Sequence, residues 1–495
     1  MNSCKLRPGH GEMGQRFRDQ QQPLQRWRVA GRGTLRWLNH RKLELAIFLV
    51  GVLLRLTMSW NFHARWSYDA DFHWEVVTWI LEHGRIPHTE STFSSFHPPL
   101  YYLTAAGLAK LDVSRENVVW FSIFCGVVRL GIIWAGLEWY VRSRWARVAA
   151  LALAAVISAS VHIDGMVYPE ALNCTLIAAA MLVIPIAFRR LSSGRWVAAG
   201  AVGLFLGLAG LTKVSMFVVL SAVLAAVGFE LLAARRSWRA RLRSGLPWAG
   251  MLGVCLAICG WFYARNVREY GNPFITSFEL PSQSWLVAAD VKKPLLDRRS
   301  LGFVFGWSNA IYREPTRPSG LSHYPRFFPV AIASTVVDYW GYIYQGFEGA
   351  HNAEPEPPIK PKWKVRPAAR LAVVGGTVIF FAAVVAWLLA ARHVLRRRDA
   401  GRLALLLIPF GTLLASLAFA IRYPIDTYGV IKGVYMTFGA PPVYALYGVG
   451  VEWSRRQPER WPILGLLLVA LWLVAAYSVL CRLGVPLLPF GLFEP

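Results

Sequence analysis

The residues best suited to chemistry come in short groups spread along the chain. From Trp66 to Leu103 it runs "WSYDADFHWEVVTWILEHGRIPHTESTFSSFHPPLYYL", with five acids and four histidines. Asp69, Asp71 and His73 alternate there, and His97 stands directly before a Pro-Pro pair. Farther on come Asp164 in "HIDGM", Glu170 in "YPEAL", Lys213 closing "GLTK", Arg265 in "ARNVREYGNPF", Arg422 and Tyr423 in "IRYP", and Lys432. A carboxylate in such a set can take a proton from a hydroxyl. Cations can hold the charge that develops on a phosphate leaving group.

Each residue also has a plainer use. Asp69 or Ser67 fits the N-cap of a helix running to Gly84, with Phe72, Val76, Trp79 and Ile80 on one face. Asp71 and His73 fit a solvated face or a metal site. Lys213 fits a helix end whose ammonium snorkels toward water, and Arg265 and Arg422 fit helix-end anchors. Cys255 and Cys259, one helical turn apart, fit helix packing better than a metal. The six cysteines give neither a disulfide framework nor a zinc pattern.

The elements that must position these groups are membrane helices. The chain has 495 residues, 55% of them hydrophobic and 16% charged, where soluble chains carry about 25% charged residues. Apolar runs near 20 residues recur, each able to cross a hydrocarbon core roughly 30 Å thick. The formal charge of +25 is gathered in short patches such as Arg142 to Arg147, Arg235 to Arg243 and Arg396 to Arg398. Short basic loops mark the cytoplasmic side, so the pattern argues for a membrane and against a nucleic-acid partner.

Parity then orders the chain. Residues 1–42 form a basic, disordered cytoplasmic tail that can lie on anionic lipid. Leu43 to Trp60 is a signal anchor, and 61–117 is the first outer loop. Within it "PPLYYLTAAGLAKL" is too short and too Pro-led to cross, and becomes a juxtamembrane or re-entrant helix. Crossings follow at Val118–Tyr140, Val148–Val161, Ala171–Phe188, Trp196–Leu211, Val214–Leu232 and Pro247–Tyr263. A second outer segment, 264–370, holds "FFPVAIASTVVDYWGYIYQGF" as an interfacial helix and "HNAEPEPPIKPKWK" as a proline-rich linker. The C-terminal helices, 371–495, supply Leu371–Ala391, Leu403–Ala420, Met436–Val451 and Trp461–Cys481. The expectation is an all-α polytopic protein of roughly eleven spans, with 43–263 as the catalytic module and the polar set at the outer ends of its helices.

The order of these motifs resembles the GT-C membrane glycosyltransferases, specifically family 39-like enzymes. These include protein O-mannosyltransferases and bacterial transferases that add aminoarabinose or galacturonate to lipid A or core sugars. The resemblance runs from about Leu43 to Val451. It rests on Asp69, His73, Leu81, Gly84 and "HPPLYY" in the first loop, then "YPEAL", "GLTK", "ARNVREYGNPF" and "IRYP". Ala70 stands where many relatives carry a Glu after the Asp, and His97 where aminoarabinose transferases carry a lysine.

The resemblance implies a sugar taken from a polyprenyl-phosphate donor and passed, with inversion, to a glycan, lipid or protein hydroxyl on the outer face of an inner membrane. An endoplasmic reticulum membrane fits the composition as well. It implies Asp69 as base; Asp71, His73, His97, Glu170, Lys213, Arg265, Arg422, Tyr423 and Lys432 as substrate-binding; and no metal or other cofactor. A lipid-linked glycan ligase or polymerase is the nearest alternative. A transporter or flippase would carry its charges near span midpoints.

Overall fold

The computed structural model describes residues 41–61, 69–111, 114–189, 193–233, 237–280, 293–313, 315, 326–337, 365–424 and 430–483. The expected cytoplasmic tail, Ser67, the proline-rich linker and the "DYWGYIYQGF" half of the interfacial segment lie outside them. Among the described residues every regular element is helical.

The helices are α1 (Lys42–Asn61), α2 (Ala70–His83), α3 (Leu100–Ala109), α4 (Arg115–Tyr140), α5 (Arg144–Val156), α6 (Ser158–Asp164), α7 (Glu170–Arg189), α8 (Ser193–Gly210), α9 (Met216–Ala233) and α10 (Trp238–Tyr270). Two short helices, α11 (Leu301–Phe305) and α12 (Ala310–Arg313), precede α13 (Phe327–Val336), α14 (Val365–Arg397) and α15 (Ala400–Arg422). A 3-10 turn, Gly433–Gly439, leads into α16 (Ala440–Arg455), and α17 (Trp461–Leu483) follows.

A helix occupies each of the eleven stretches expected to cross. Of the described helices, α4, α7, α9, α10, α14, α15 and α17 are long and apolar enough to span a bilayer. The pair α5 and α6, bent by 52° at a short break, makes an eighth if it counts as one span. The helices α1, α8 and α16 fall short of that standard. This is a multi-pass, all-α membrane protein.

Three apolar clusters hold the helices together. One joins α1, α4, α5, α6, α13, α14, α16 and α17, and a second joins α7, α8, α9, α10 and α15. The third is small and seats α2 and α3 on the start of α4 through Val76, Ile80, Tyr101, Tyr102 and Val119. That cluster fixes the first loop. At ten residues α3 is about 15 Å long, half a hydrocarbon core, so it lies against the bundle without crossing.

Two expectations change in detail. The segment beginning "FFPVAIAS" folds as α13, but Phe327, Val330, Ala333 and Val336 are buried in the main core. An interfacial helix would have left a wet face. And α10 continues to Tyr270, past Tyr263, so Arg265 rides on the last turns of a helix instead of opening a loop.

Candidate active site

Asp69 stands at the N-cap position of α2, yet its side chain makes no capping hydrogen bond. Its carboxylate instead lies 3.9 Å from the Lys432 ammonium. The carboxylate side is 29% exposed and the lysine 4%, so a substrate can reach the acid while the cation stays behind it. Lys432 precedes the 3-10 turn, and a close backbone crossing fixes it there. A Cβ on Gly433 would come 2.6 Å from the Ser334 carbonyl oxygen, and the Gly433 N–H donates to Ser334 Oγ at 2.9 Å. Buried α13 therefore serves to position Lys432.

Lys213 reaches the same place from the other core. Helix α8 packs closely on α10, where a Cβ on Gly203 would meet the Met251 carbonyl oxygen at 2.4 Å. The chain leaves α8 through Leu211, whose carbonyl accepts from Leu100 N at 2.8 Å; this ties "GLTK" to "HPPL". The Lys213 ammonium is ion-paired with Glu170, the first residue of α7. It also faces the Tyr168 ring at 5.3 Å and the Tyr435 ring at 5.0 Å. Lys432 faces the same Tyr435 ring at 5.3 Å, so one tyrosine carries both ammonium groups.

The two histidines form the wall. His73 Nδ1 shares a hydrogen bond with Tyr102 Oη at 2.7 Å, and its ring meets Tyr168 edge-on at 4.8 Å. The His97 ring lies 5.5 Å from that of His73. Burial, Lys213 and a second cationic or imidazole neighbour hold both histidines well below their ordinary value. At neutral pH they are uncharged, and positive charge comes from the lysines.

The electrostatics around Asp69 are balanced. Burial pushes its carboxyl up, and Lys432 and Lys213 pull it back. Burial lowers Lys213 to about 7, against the pull of Asp69 and with the push of Lys432. Burial also opposes charge on Lys432, but Tyr435 and Asp69 outweigh it and raise that ammonium. An acid raised toward neutrality is a better proton acceptor than an ordinary aspartate.

The other expected residues sit apart from this cluster. Asp71 projects two residues along α2 and is ion-paired with Arg115, its carboxylate 43% exposed. Arg265 donates to Thr89 Oγ1 at 3.3 Å and stacks on Phe262 at 4.7 Å, with Glu269 at 4.0 Å. Arg422 and Tyr423 both engage Glu279, and Thr276 donates to Tyr423 Oη at 3.1 Å. Rings connect this second group to the first: Tyr423 meets Phe419 at 5.1 Å, and Phe419 meets Tyr435 at 6.3 Å.

Asp164 is a correction. It was expected on the outer face but is fully buried between Arg55, at 2.7 Å, and Arg129, at 2.8 Å. It locks the α5–α6 bend against α1 and α4. Cys255 and Cys259 are buried packing residues of α10, the Cys259 thiol donating to the Cys255 carbonyl at 3.2 Å. Among the described residues no three acid, imidazole or thiol ligands converge.

Sequence reasoning passed over Tyr102, Tyr168 and Tyr435, which build the walls, and Glu279, which organises Arg422. Tyr102 and Tyr168 were within quoted motifs, beside the residues they support. Tyr435 follows Lys432 by three positions, the spacing of one turn. Glu279 carried no motif.

Comparison with known proteins bears on this cluster. Residues 96–263, about a third of the chain, match the family model described as dolichyl-phosphate-mannose-protein mannosyltransferase. The match begins one residue before His97 and contains Glu170 and Lys213. Over that segment the chain is similar to this mannosyltransferase family. No curated protein matches the chain. Among solved structures it is similar to ArnT from Cupriavidus metallidurans in the apo state, with 14% identity, TM-score 0.37, 83% of this chain and 79% of that one. Against ArnT from the same organism bound to undecaprenyl phosphate the values are 14%, 0.36, 83% and 80%. Likenesses this loose place no individual residue.

Proposed function

We propose that the protein transfers a sugar from a polyprenyl-phosphate donor to a hydroxyl acceptor at the outer face of an inner membrane, with inversion. The observation that carries the reading is a part-exposed Asp69 carboxylate backed by two lysines, one buried and one partly buried, that share Tyr435. The family matched by residues 96–263 takes its name from a dolichyl-phosphate-linked sugar, which is a polyprenyl-phosphate donor.

The geometry supports a division of labour. Asp69 takes the proton of the acceptor hydroxyl as its oxygen attacks the anomeric carbon. The bond from that carbon to the phosphate oxygen breaks on the opposite face, and polyprenyl phosphate leaves. Lys213 and Lys432 meet the charge gathered on the phosphate, a role that needs no strong acid because phosphate is already a fair leaving group. Glu170 holds Lys213 in place and releases part of its pairing to the incoming phosphate. His73 and His97, uncharged, shape the wall around the sugar; Arg265 and the Arg422–Tyr423 pair flank the site. A transporter would want mobile charge along a path, whereas Asp164 is locked between two arginines.

Mass spectrometry of lipid-linked sugars and envelope glycans, with and without the gene, tests the reading. Loss of one sugar from a glycan, lipid or protein acceptor, with accumulation of its polyprenyl-phosphate form, is expected. Unchanged donor and acceptor pools would overturn it.

A further inference from the structure

A groove of 1040 Å³ lies between α4, α7, α14, α15, α16 and α17. It sits at the basic-loop end, far from Asp69: α4 starts with Arg115, beside Asp71, and ends about 38 Å later at groove-lining Tyr140. One stripe of α14 lines it at every fourth residue: Phe381, Val385, Leu389, His393 and Arg397. Successive side chains so spaced lie one above the other along the helix. The three apolar members are about half exposed, as suits a wall facing hydrocarbon, and the last two are a histidine and an arginine. Along about 24 Å of helix the groove passes from acyl-chain chemistry to anion chemistry.

The polar end is poised for a ligand. Tyr140, Gln457 and the fully buried Ser454 line it, and Tyr140 Oη, Gln457 Oε1 and Ser454 Oγ, all buried, have no hydrogen-bond partner among the described residues. Arg142 and Arg397 there are exposed and make no ion pair with a described carboxylate. The acid that lines this end, Glu452, is already used by Arg456 and by the backbone N–H groups of Arg142 and Ser143. Arg402 is paired with Asp399 at 3.5 Å. The uncompensated charge is positive, while unpartnered hydroxyl and amide groups await an acceptor or donor.

We propose that this groove binds one anionic glycerophospholipid of the leaflet at the basic-loop end. Its phosphodiester lies between Arg142 and Arg397, its glycerol or headgroup hydroxyls meet Ser454, Tyr140 and Gln457, and an acyl chain follows Phe381 to Leu389. The site does not depend on the glycosyl-transfer reading.

Native mass spectrometry on the delipidated full-length protein, offered phosphatidylglycerol or phosphatidylcholine, tests it. One equivalent of phosphatidylglycerol is expected to survive, at least tenfold preferred over phosphatidylcholine, and millimolar inorganic phosphate should not displace it. The double variant Arg142→Gln with Arg397→Gln should bind roughly thirtyfold more weakly, since each cation near an anionic headgroup contributes about fivefold. Leu389→Trp leaves the cations in place and fills the chain path, so it should also expel the lipid and stands in if the double variant does not fold. Equal retention of both lipids, displacement by phosphate alone, or retention unchanged in the variants would overturn the proposal.

Discussion

Around Asp69 two lysines do different electrostatic work. Lys432 is held charged by Tyr435 and Asp69, whereas burial brings Lys213 down to about 7. Lys213 is therefore protonated below about 7 and loses its charge above it, just where leaving-group stabilisation requires the charge. Asp69, raised by burial, must instead lose its proton, so it limits the acid side. We expect a bell-shaped pH profile of kcat/KM whose alkaline limb begins near 7. Lys213→Arg keeps a charge at every accessible pH and should move that limb upward, even if the altered shape lowers the maximum. An unchanged alkaline limb in Lys213→Arg would assign it to another group. Asp71 belongs to a different balance: its half-exposed pair with Arg115 is of the kind that contributes about 0–1 kcal/mol, so Asp71→Asn should leave thermal stability nearly unchanged.

The helices carry their own device, the Arg55–Asp164–Arg129 group. It joins α1, α4 and α6 in a region where the carboxylate has no exposure to solvent. Arg129 Nη2 donates to both Asp164 oxygens, at 2.8 and 2.9 Å, and to Ser160 Oγ at 2.8 Å. Removing one member of a buried ion group strands the others, at a cost of about 3–5 kcal/mol. Asp164→Ala should therefore lower the thermal unfolding midpoint in detergent far more than Asp71→Asn. Equal midpoints would show that the α5–α6 bend is held by packing alone. Because α6 leads through Gly165 to Tyr168 and Glu170, the same variant should also loosen Lys213. The 3-10 turn after Lys432 is a second fixed point. Gly433→Val, which forces a side chain into the α13 backbone, should reduce transfer without touching any reacting group.

For the molecule as a whole, topology remains the frame on which the outer-face reading rests. Cysteines introduced at Phe96 and Ser114, flanking α3, should both label from outside, and one at Arg144 from the cytoplasm. Labelling of Ser114 only from the cytoplasm would mean that α3 crosses and would invert every later loop. The positions of the helices were legible in the sequence, because apolar run length is a local property. A helix lies at each stretch expected to cross, and "PPLYYLTAAGLAKL" makes the short helix its prolines and length required. Pairings were not legible, because they depend on which helix ends meet. Asp71 and Asp69 look alike in "DADFH", yet one faces Arg115 and the other Lys432. Asp164 looked like a loop acid, yet two arginines inside long apolar runs draw it into the core. Lys213 looked like a snorkelling helix end, yet it meets Lys432 on one tyrosine. The central claim is that Asp69 is the base, and single-turnover sugar transfer by Asp69→Asn tests it most directly. Asparagine keeps the size, and no capping bond is lost since the Asp69 side chain makes none, but it cannot accept the proton. The expected result is normal folding and donor binding with transfer lowered at least about a hundredfold, while Asp71→Asn stays close to wild type. Normal transfer by Asp69→Asn alongside a dead Asp71→Asn would contradict the account.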